Sequence, residues 1–399
     1  MMKIVYITKS LAPIGGLERV LTDKMNYLVQ KGYDIVLITY EQGKHPFAYP
    51  LDHRVRHYDL DVVFFSLYKY CAPKRIFYQQ YYRLLFRRRL QKLIRKLQPD
   101  IVITTTYSMV VADVIANLKT DARKIIESHV AYYVMRKQNE YINNWMMHLL
   151  AQFYDKRNSR AIRKYDAMVT LTKGDAEDWS KHTRKIVVIP NPITNYPEKV
   201  CRSQNSYHRI VCAGRLNSQK GFDLLIKAFA RIADQCPQWR VDIFGSGEEK
   251  DILIQMLKDY RLSDRIFLNP PTADIYREYA TSDFFVLSSR FEGFGLVLAE
   301  AMSCGIPCVS FNCKYGPGEI ITDHVDGLLA EADNVNDLAN KMLWMMEHEE
   351  ERLAMGRAAR QSAARYQQDV VMQQWIKLIN KLLAGAFNIF FILCFFYAK

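Results

Sequence analysis

Twice along this 399-residue chain, short apolar runs alternate with stretches of helical periodicity, and that rhythm restricts the fold more than any other feature. In the first half the runs fall at residues 4–7, 35–39, 101–104, 124–127, 167–171 and 186–189. They are rich in Ile and Val, as strands buried on both faces are. Residues 191–208, N-P-I-T-N-Y-P-E-K-V-C-R-S-Q-N-S-Y-H, break every periodicity, and their Pro, Asn and Ser content marks a linker. The rhythm restarts at 210–213, 241–244, 266–268, 284–287, 308–310 and 328–330, and three helical stretches follow between 335 and 383. Alternation of this kind predicts an α/β protein with parallel sheets and helices on both faces. Two doubly wound domains are expected, residues 1–195 and 209–365, facing each other across a cleft. Residues 366–399 should add a helix packing back toward the N-terminal domain and an apolar tail at 387–397. Clefts between domains are favoured ligand sites.

The site signals lie in the strand-to-helix loops. In R-F-E-G-F-G-L-V-L-A-E-A-M-S, Glu292 follows the run at 284–287, and Glu300 lies in the early turns of the helix predicted over 296–303. Gly293, Phe294 and Gly295 precede the helix that Leu296 opens, where backbone N–H groups can approach a phosphate at the helix N-terminus. The carboxyl ends of strands are where open α/β sheets bind ligands. G-R-L-N-S-Q-K-G puts Arg215 and Lys220 after the first strand of the second half. Arg offers a fork matched to phosphate oxygens and Lys a compact charge, so the pair could neutralise a diphosphate without a metal. Gly15-Gly16 opens a helix after the first strand, and a tight turn explains it equally well. Gly245 and Gly247, in G-S-G, form another strand-to-helix turn; neither glycine pair completes G-x-G-x-x-G. His129 ends a strand in I-I-E-S-H-V, where a structural role competes with ligand contact. Asp59-Leu60-Asp61 imitates a D-x-D metal site by chance, and no P-loop or nucleophile elbow occurs, so metal-free phosphate chemistry is the expectation.

Charge divides the chain. Residues 1–200 hold 33 Lys and Arg against 18 Asp and Glu, whereas residues 201–399 hold 22 against 24, so only the first half is built to face something anionic. The densest block, 68–98, has ten cations and no acid, interleaved with Tyr and Phe. Phe86, Leu90, Leu93 and Leu97 step as an amphipathic helix would, leaving Arg83, Arg87, Arg88, Lys92 and Arg95 for an acceptor or an anionic membrane surface. Nucleic acid is not expected, because no recognition motif accompanies the block. The apolar tail is too short to span a bilayer and could dip into one. Eight scattered cysteines without C-x-x-C, and a start without a signal-peptide core, suggest a cytoplasmic protein.

Together, Gly15-Gly16, His129, Arg215 with Lys220, and Glu292-x7-Glu300 resemble the family 4 retaining glycosyltransferases of the GT-B fold, which pairs two Rossmann-like domains. The resemblance runs over about residues 2–380 and rests most on G-R-L-N-S-Q-K-G and E-G-F-G-L-V-L-A-E. It implies a nucleotide-sugar donor and no cofactor or metal. Arg215 and Lys220 would clamp the donor diphosphate, helped by the backbone of Phe294, Gly295 and Leu296. Glu300 would hold ribose hydroxyls, Glu292 the donor sugar, and His129 would face that sugar. Gly15 and Gly16 would lie beside the diphosphate, and Gly245 and Gly247 would border the nucleoside. The segment Y-G-P-G-E-I-I at 315–321 is similar to bacterial polysaccharide transferases that use UDP-sugars. The expected reaction moves a hexose or N-acetylhexosamine from a UDP-sugar to a polyprenyl-diphosphate-linked saccharide at the inner face of the cell membrane, in cell-surface polysaccharide synthesis. A GDP-mannose-dependent mannosyltransferase and a sugar-nucleotide epimerase of the same fold stay open.

Overall fold

The computed structural model describes residues 1–64, 69, 71–135, 155–198, 208–272 and 274–385. The apolar tail at 387–397, together with Cys201 and Cys394, lies outside the described residues. The chain forms two compact units: Met1–Leu171 with Asp175–Ile189 and Met372–Lys399, and Pro190–Val371 with Thr172–Gly174. The division between Ile189 and Pro190 thus falls at the start of the expected linker.

The first unit is built on seven strands, β1 (Lys3–Thr8), β2 (Asp34–Thr39), β3 (Arg56–Asp59), β4 (Ile101–Thr105), β5 (Arg123–Ser128), β6 (Ala167–Thr170) and β7 (Ile186–Val188). They form one parallel sheet in the order β3-β2-β1-β4-β5-β6-β7. The unit's helices include α1 (Gly16–Gln30), α2 (Ala72–Leu97) and α3 (Met109–Ala116). Strand β3 has no counterpart among the apolar runs. Its R-H-Y-D sequence lies at a sheet edge with Arg56 paired to Asp34 at 2.7 Å, so no apolar pattern marks it. Helix α2 buries Phe86, Leu90, Ile94 and Leu97 against Val36, Val102 and Met168. Ile94 takes the fully buried place expected for Leu93, which is half-buried.

The second unit holds β8 (His208–Ala213), β9 (Trp239–Phe244), β10 (Ile266–Asn269), β11 (Phe284–Leu287), β12 (Cys308–Phe311) and β13 (Gly327–Ala330). These run parallel in the order β10-β9-β8-β11-β12-β13. Helix α4 (Lys173–Trp179) begins in this unit and ends in the first. Then come α5 (Phe222–Ala230), α6 (Lys250–Asp259), α7 (Ile275–Ala280), α8 (Leu296–Ser303), α9 (Pro317–Ile320), α10 (Val335–Glu347), α11 (Glu349–Ala363) and α12 (Gln368–Leu383). Its core joins Phe284 and Val286 to Leu225 and Phe229 of α5 and to Met342 and Met345 of α10. From Met372 onward α12 belongs to the first unit, where Trp375 and Ile379 are buried.

In each sheet the strand order reverses once, between β1 and β4 and between β8 and β11. Loops leaving the carboxyl ends of strands beside such a reversal form the ligand crevice of doubly wound sheets. The glycine pair, G-R-L-N-S-Q-K-G and E-G-F-G-L-V-L-A-E all leave those strands. Among the described residues no helix is long and apolar enough to cross a membrane.

Candidate active site

In the second unit, two loops at the reversal are zipped together. After β8, Asn217 caps a short turn, Ser218–Lys220, by accepting the Lys220 N–H. Gly221 follows with φ +62°, where a Cβ would strike the Ser288 carbonyl oxygen. Only glycine lets the loops approach this closely. The Arg290 N–H donates to Gln219 O at 2.9 Å, and the Ser288 hydroxyl donates to Lys220 O at 2.9 Å. Arg290 makes a bidentate pair with Asp223, at 2.8 Å for each bond.

This zipper sets two predicted site residues against each other. Lys220 Nζ donates to Glu292 Oε1 at 2.7 Å, and the Ser289 hydroxyl donates to the same oxygen at 2.7 Å. Both side chains keep a little solvent contact, 14% for Lys220 and 8% for Glu292, so a ligand arriving here can compete for either. Arg215 is exposed and has no side-chain partner among the described residues. Gly295 precedes α8 with φ +91° and brings no side chain to cap it. The Leu298 N–H donates to Gly295 O at 2.9 Å, so it is the Leu296 and Val297 N–H groups that keep their capacity to bind an anion. Glu300 is buried in the second turn of α8.

Several predicted positions have a packing reason. A Cβ at Gly245 would strike Gly214 O, and one at Gly247 would strike Leu216 O, so these glycines let the loop after β9 lie on the loop after β8. Phe294 is buried edge-to-face on Tyr366, with centroids 5.4 Å apart. The segment at 315–321 also braces the site: a Cβ on Gly316 would strike Phe294 O, and Glu319 accepts the N–H groups of Lys173 and Gly174 at 2.8 and 2.9 Å. That grip ties residues 172–174 to the second unit.

In the first unit, Gly15 is the extended residue before α1 and leaves its N-terminus without a side-chain cap. A Cβ on Gly16 would meet nothing within 4 Å. His129 follows β5, and its Nε2 lies 2.8 Å from Glu127 Oε2. Glu127 also accepts Lys24 Nζ at 2.8 Å on both oxygens. Burial opposes the Glu127 charge, but Lys24 and His129 outweigh it and hold the carboxyl down at about 2. Beneath the loop, Asp175 accepts the Ser128 hydroxyl at 2.7 Å and the Tyr132 N–H at 2.8 Å. Burial pushes its carboxyl up to about 6 against those hydrogen bonds. Neither Lys24 nor Asp175 stands out in the sequence, since a lysine on an amphipathic helix and an aspartate in a first helical turn read as solvated groups.

The basic helix sorts its cations. Arg83 is tied to Asp113 of α3 at 2.7 Å, a structural bond that the charge pattern does not reveal. Arg87, Arg88, Lys92 and Arg95 are exposed. On the same helix Phe77, Tyr81 and Leu84 stand 69%, 53% and 54% exposed. Asp59 of the D-x-D imitation accepts the Thr39 hydroxyl and the Gly43 N–H, which gives it a structural role.

Two doubly wound parallel sheets, each with its site loops at the strand reversal, define the GT-B architecture. Residues 14–194 match the family model described as Glycosyltransferase Family 4, and residues 199–362 match Glycosyl transferases group 1. With both halves matched, the chain belongs to the glycosyltransferases of the GT-B fold. It is 27% identical to an uncharacterized glycosyltransferase of Haemophilus influenzae, over 94% of this chain and 99% of that protein. It is also 27% identical to a Campylobacter jejuni N-acetylgalactosamine-N,N'-diacetylbacillosaminyl-diphospho-undecaprenol 4-alpha-N-acetylgalactosaminyltransferase, over 62% of this chain and 66% of that one. Sucrose-phosphate synthase of Thermosynechococcus elongatus superposes with a TM-score of 0.78 at 17% identity, covering 96% and 100% of the two chains.

Proposed function

We propose that this protein is a retaining, metal-independent glycosyltransferase that moves a hexose or N-acetylhexosamine from a UDP-sugar to a saccharide carried on a polyprenyl diphosphate. One observation carries the reading: the Lys220–Glu292 pair, 2.7 Å long and largely buried yet still in contact with solvent, at the strand end that leads to the uncapped N-terminus of α8. A nucleoside diphosphate leaving group needs a fixed cation and N–H donors, and a transferred sugar needs a carboxylate to accept its hydroxyls. The two zipped loops supply all three, with Arg215 as a second cation.

Cleaving the sugar–phosphate bond develops positive charge on the ring and negative charge on the departing diphosphate. Lys220, Arg215 and the α8 N–H groups stabilise the leaving group, an electrostatic contribution that is commonly the largest in such reactions. The acceptor hydroxyl attacks on the face the diphosphate leaves, its proton passes to a phosphate oxygen, and the anomeric configuration is kept. Glu292 holds the sugar and Glu300 the ribose; neither serves as a nucleophile.

The relative acting on a diphospho-undecaprenol saccharide supports the lipid-linked acceptor. The exposed Phe77, Tyr81 and Leu84 beside Arg87, Arg88, Lys92 and Arg95 suit an anionic membrane face, which supports a working position on the inner surface of the cell membrane. The likeness of residues 315–321 to UDP-sugar enzymes supports the donor. The test supplies labelled UDP-glucose, UDP-N-acetylglucosamine or GDP-mannose, with EDTA present, to the protein and a bacterial membrane fraction. Label from a UDP-sugar should enter the organic-extractable lipid. Label from GDP-mannose alone would overturn the donor, and no transfer until a divalent metal is restored would overturn the metal-free mechanism.

A further inference from the structure

Lys24 is the fully buried lysine of α1, at 1% exposure, and nothing in the donor chemistry above uses it. A charge so placed is costly unless paired, and replacing such a pair by apolar groups is commonly neutral or stabilising. Its surroundings show what it is paired with. Both oxygens of Glu127 accept from Lys24 Nζ at 2.8 Å. The Trp375 ring of α12 also packs on the ammonium, its centroid 3.5 Å from Nζ. Glu127 in turn holds His129 Nε2 at 2.8 Å, with the histidine side chain 5% exposed.

Proton accounting then assigns the ring. An ammonium can only donate, so its two bonds keep Glu127 an ionised, acceptor-only carboxylate. The third group on that carboxylate must also donate, so the proton of His129 sits on Nε2. The other ring nitrogen, Nδ1, has no hydrogen-bond partner among the described residues and is the acceptor whenever the ring carries a single proton. We propose that Lys24 is a positioning residue, which through the Glu127 carboxylate locks His129 into the Nε2–H tautomer and so presents Nδ1 as an acceptor for a sugar hydroxyl. The sugar in that statement rests on the function proposed above; the tautomer does not. Trp375 shields the ammonium from water and keeps it directed at Glu127, which gives the chain's last described helix a part in orienting the histidine.

The experiment reads the ring directly. The full chain is labelled with ¹⁵N-histidine, the His129 signals are assigned by loss in His129→Gln, and the two ring nitrogens are followed at neutral pH in wild type, Lys24→Met and the double variant Lys24→Met/Glu127→Gln. The double variant buries no unpaired charge and so remains a fair test if Lys24→Met alone does not fold. Wild type should show protonated Nε2 and unprotonated Nδ1. Both variants should lose that single pattern, by tautomer exchange or a second ring proton, while the signals of His57 and His182 stay in place. A pattern unchanged in both variants, or a wild-type ring protonated on Nδ1, would overturn the proposal. Because the ring is read without substrate, failure of every nucleotide sugar to react would refute the proposed function and leave this result standing.

Discussion

Two lysine–glutamate pairs stand near strand ends in two similar sheets, and they differ in the water around them. In the first unit the Lys24 and Glu127 side chains are 2% and 1% exposed; in the second, those of Lys220 and Glu292 are 14% and 8% exposed. Their hydrogen bonds are alike, 2.8 and 2.7 Å. The sealed pair cannot exchange partners without breaking the core, so it acts as scaffold and holds His129. The less sealed pair joins two loops, one of which leads into the uncapped α8, and under the proposed function an incoming diphosphate and sugar each take one member. Burial thus separates two uses of one ion pair.

The largest effect should come from breaking the sealed pair. Lys24→Met leaves the buried Glu127 carboxylate with His129 as its remaining partner, and denaturant unfolding should show a loss of about 3–5 kcal/mol. The double change with Glu127→Gln should recover most of it; no recovery would mean that Lys24 acts by packing alone. The pH dependence sharpens the point. A Glu127 carboxyl held at about 2, against an ordinary 4.5, contributes stability that is present above 4.5 and lost as pH falls toward 2. Asp175 works the other way: raised from 3.8 to about 6, its contribution is present below 3.8 and lost as pH rises to 6. Stability measured between pH 2 and 7 should therefore show the acid limb in wild type and a weaker one in the double variant.

Breaking the less sealed pair should reach activity instead. Glu292→Gln is expected to lower kcat by about 10²–10³-fold, the scale of removing one well-placed polar group from an active site, with the melting temperature nearly unchanged. A large loss of stability with turnover intact would make this pair scaffold as well and erase the contrast. The smallest structural effect should come from the exposed cations of α2. Neutralising Arg87, Arg88, Lys92 and Arg95 together should change stability by only about 0.5 kcal/mol or less per site, while flotation with anionic vesicles falls several-fold. Neutralising Arg83 instead breaks its bond to Asp113 and should cost stability.

Most of this architecture is legible in the sequence because parallel strands buried on both faces leave unbroken apolar runs, as F-F-V-L of β11 does. β3 escapes because an edge strand of R-H-Y-D carries no such run. Of the second-unit candidate site, the sequence marks the two short segments that carry Arg215, Lys220, Glu292 and Gly295, and the structure pairs Lys220 with Glu292. What the sequence conceals is partnership at long range. Lys24 lies 103 residues from Glu127, and Trp375 comes from the chain's last described helix, so no local pattern announces that these side chains share one buried site. The same holds for Arg83, whose partner Asp113 lies 30 residues away and turns an apparently solvated cation into a structural one. Gly245 and Gly247 show the converse: the sequence marks them, and the structure adds a packing demand that operates with or without ligand.

The central claim is that Lys220 and its loop bind the diphosphate of a uridine nucleotide. Thermal unfolding in the presence of UDP, for wild type and Lys220→Ala, tests it most directly. UDP at one hundred times its Kd should stabilise the wild type by about 2.7 kcal/mol, and the same concentration should leave the variant's melting temperature almost where it was. An equal shift in both proteins, or none in the wild type, would contradict it.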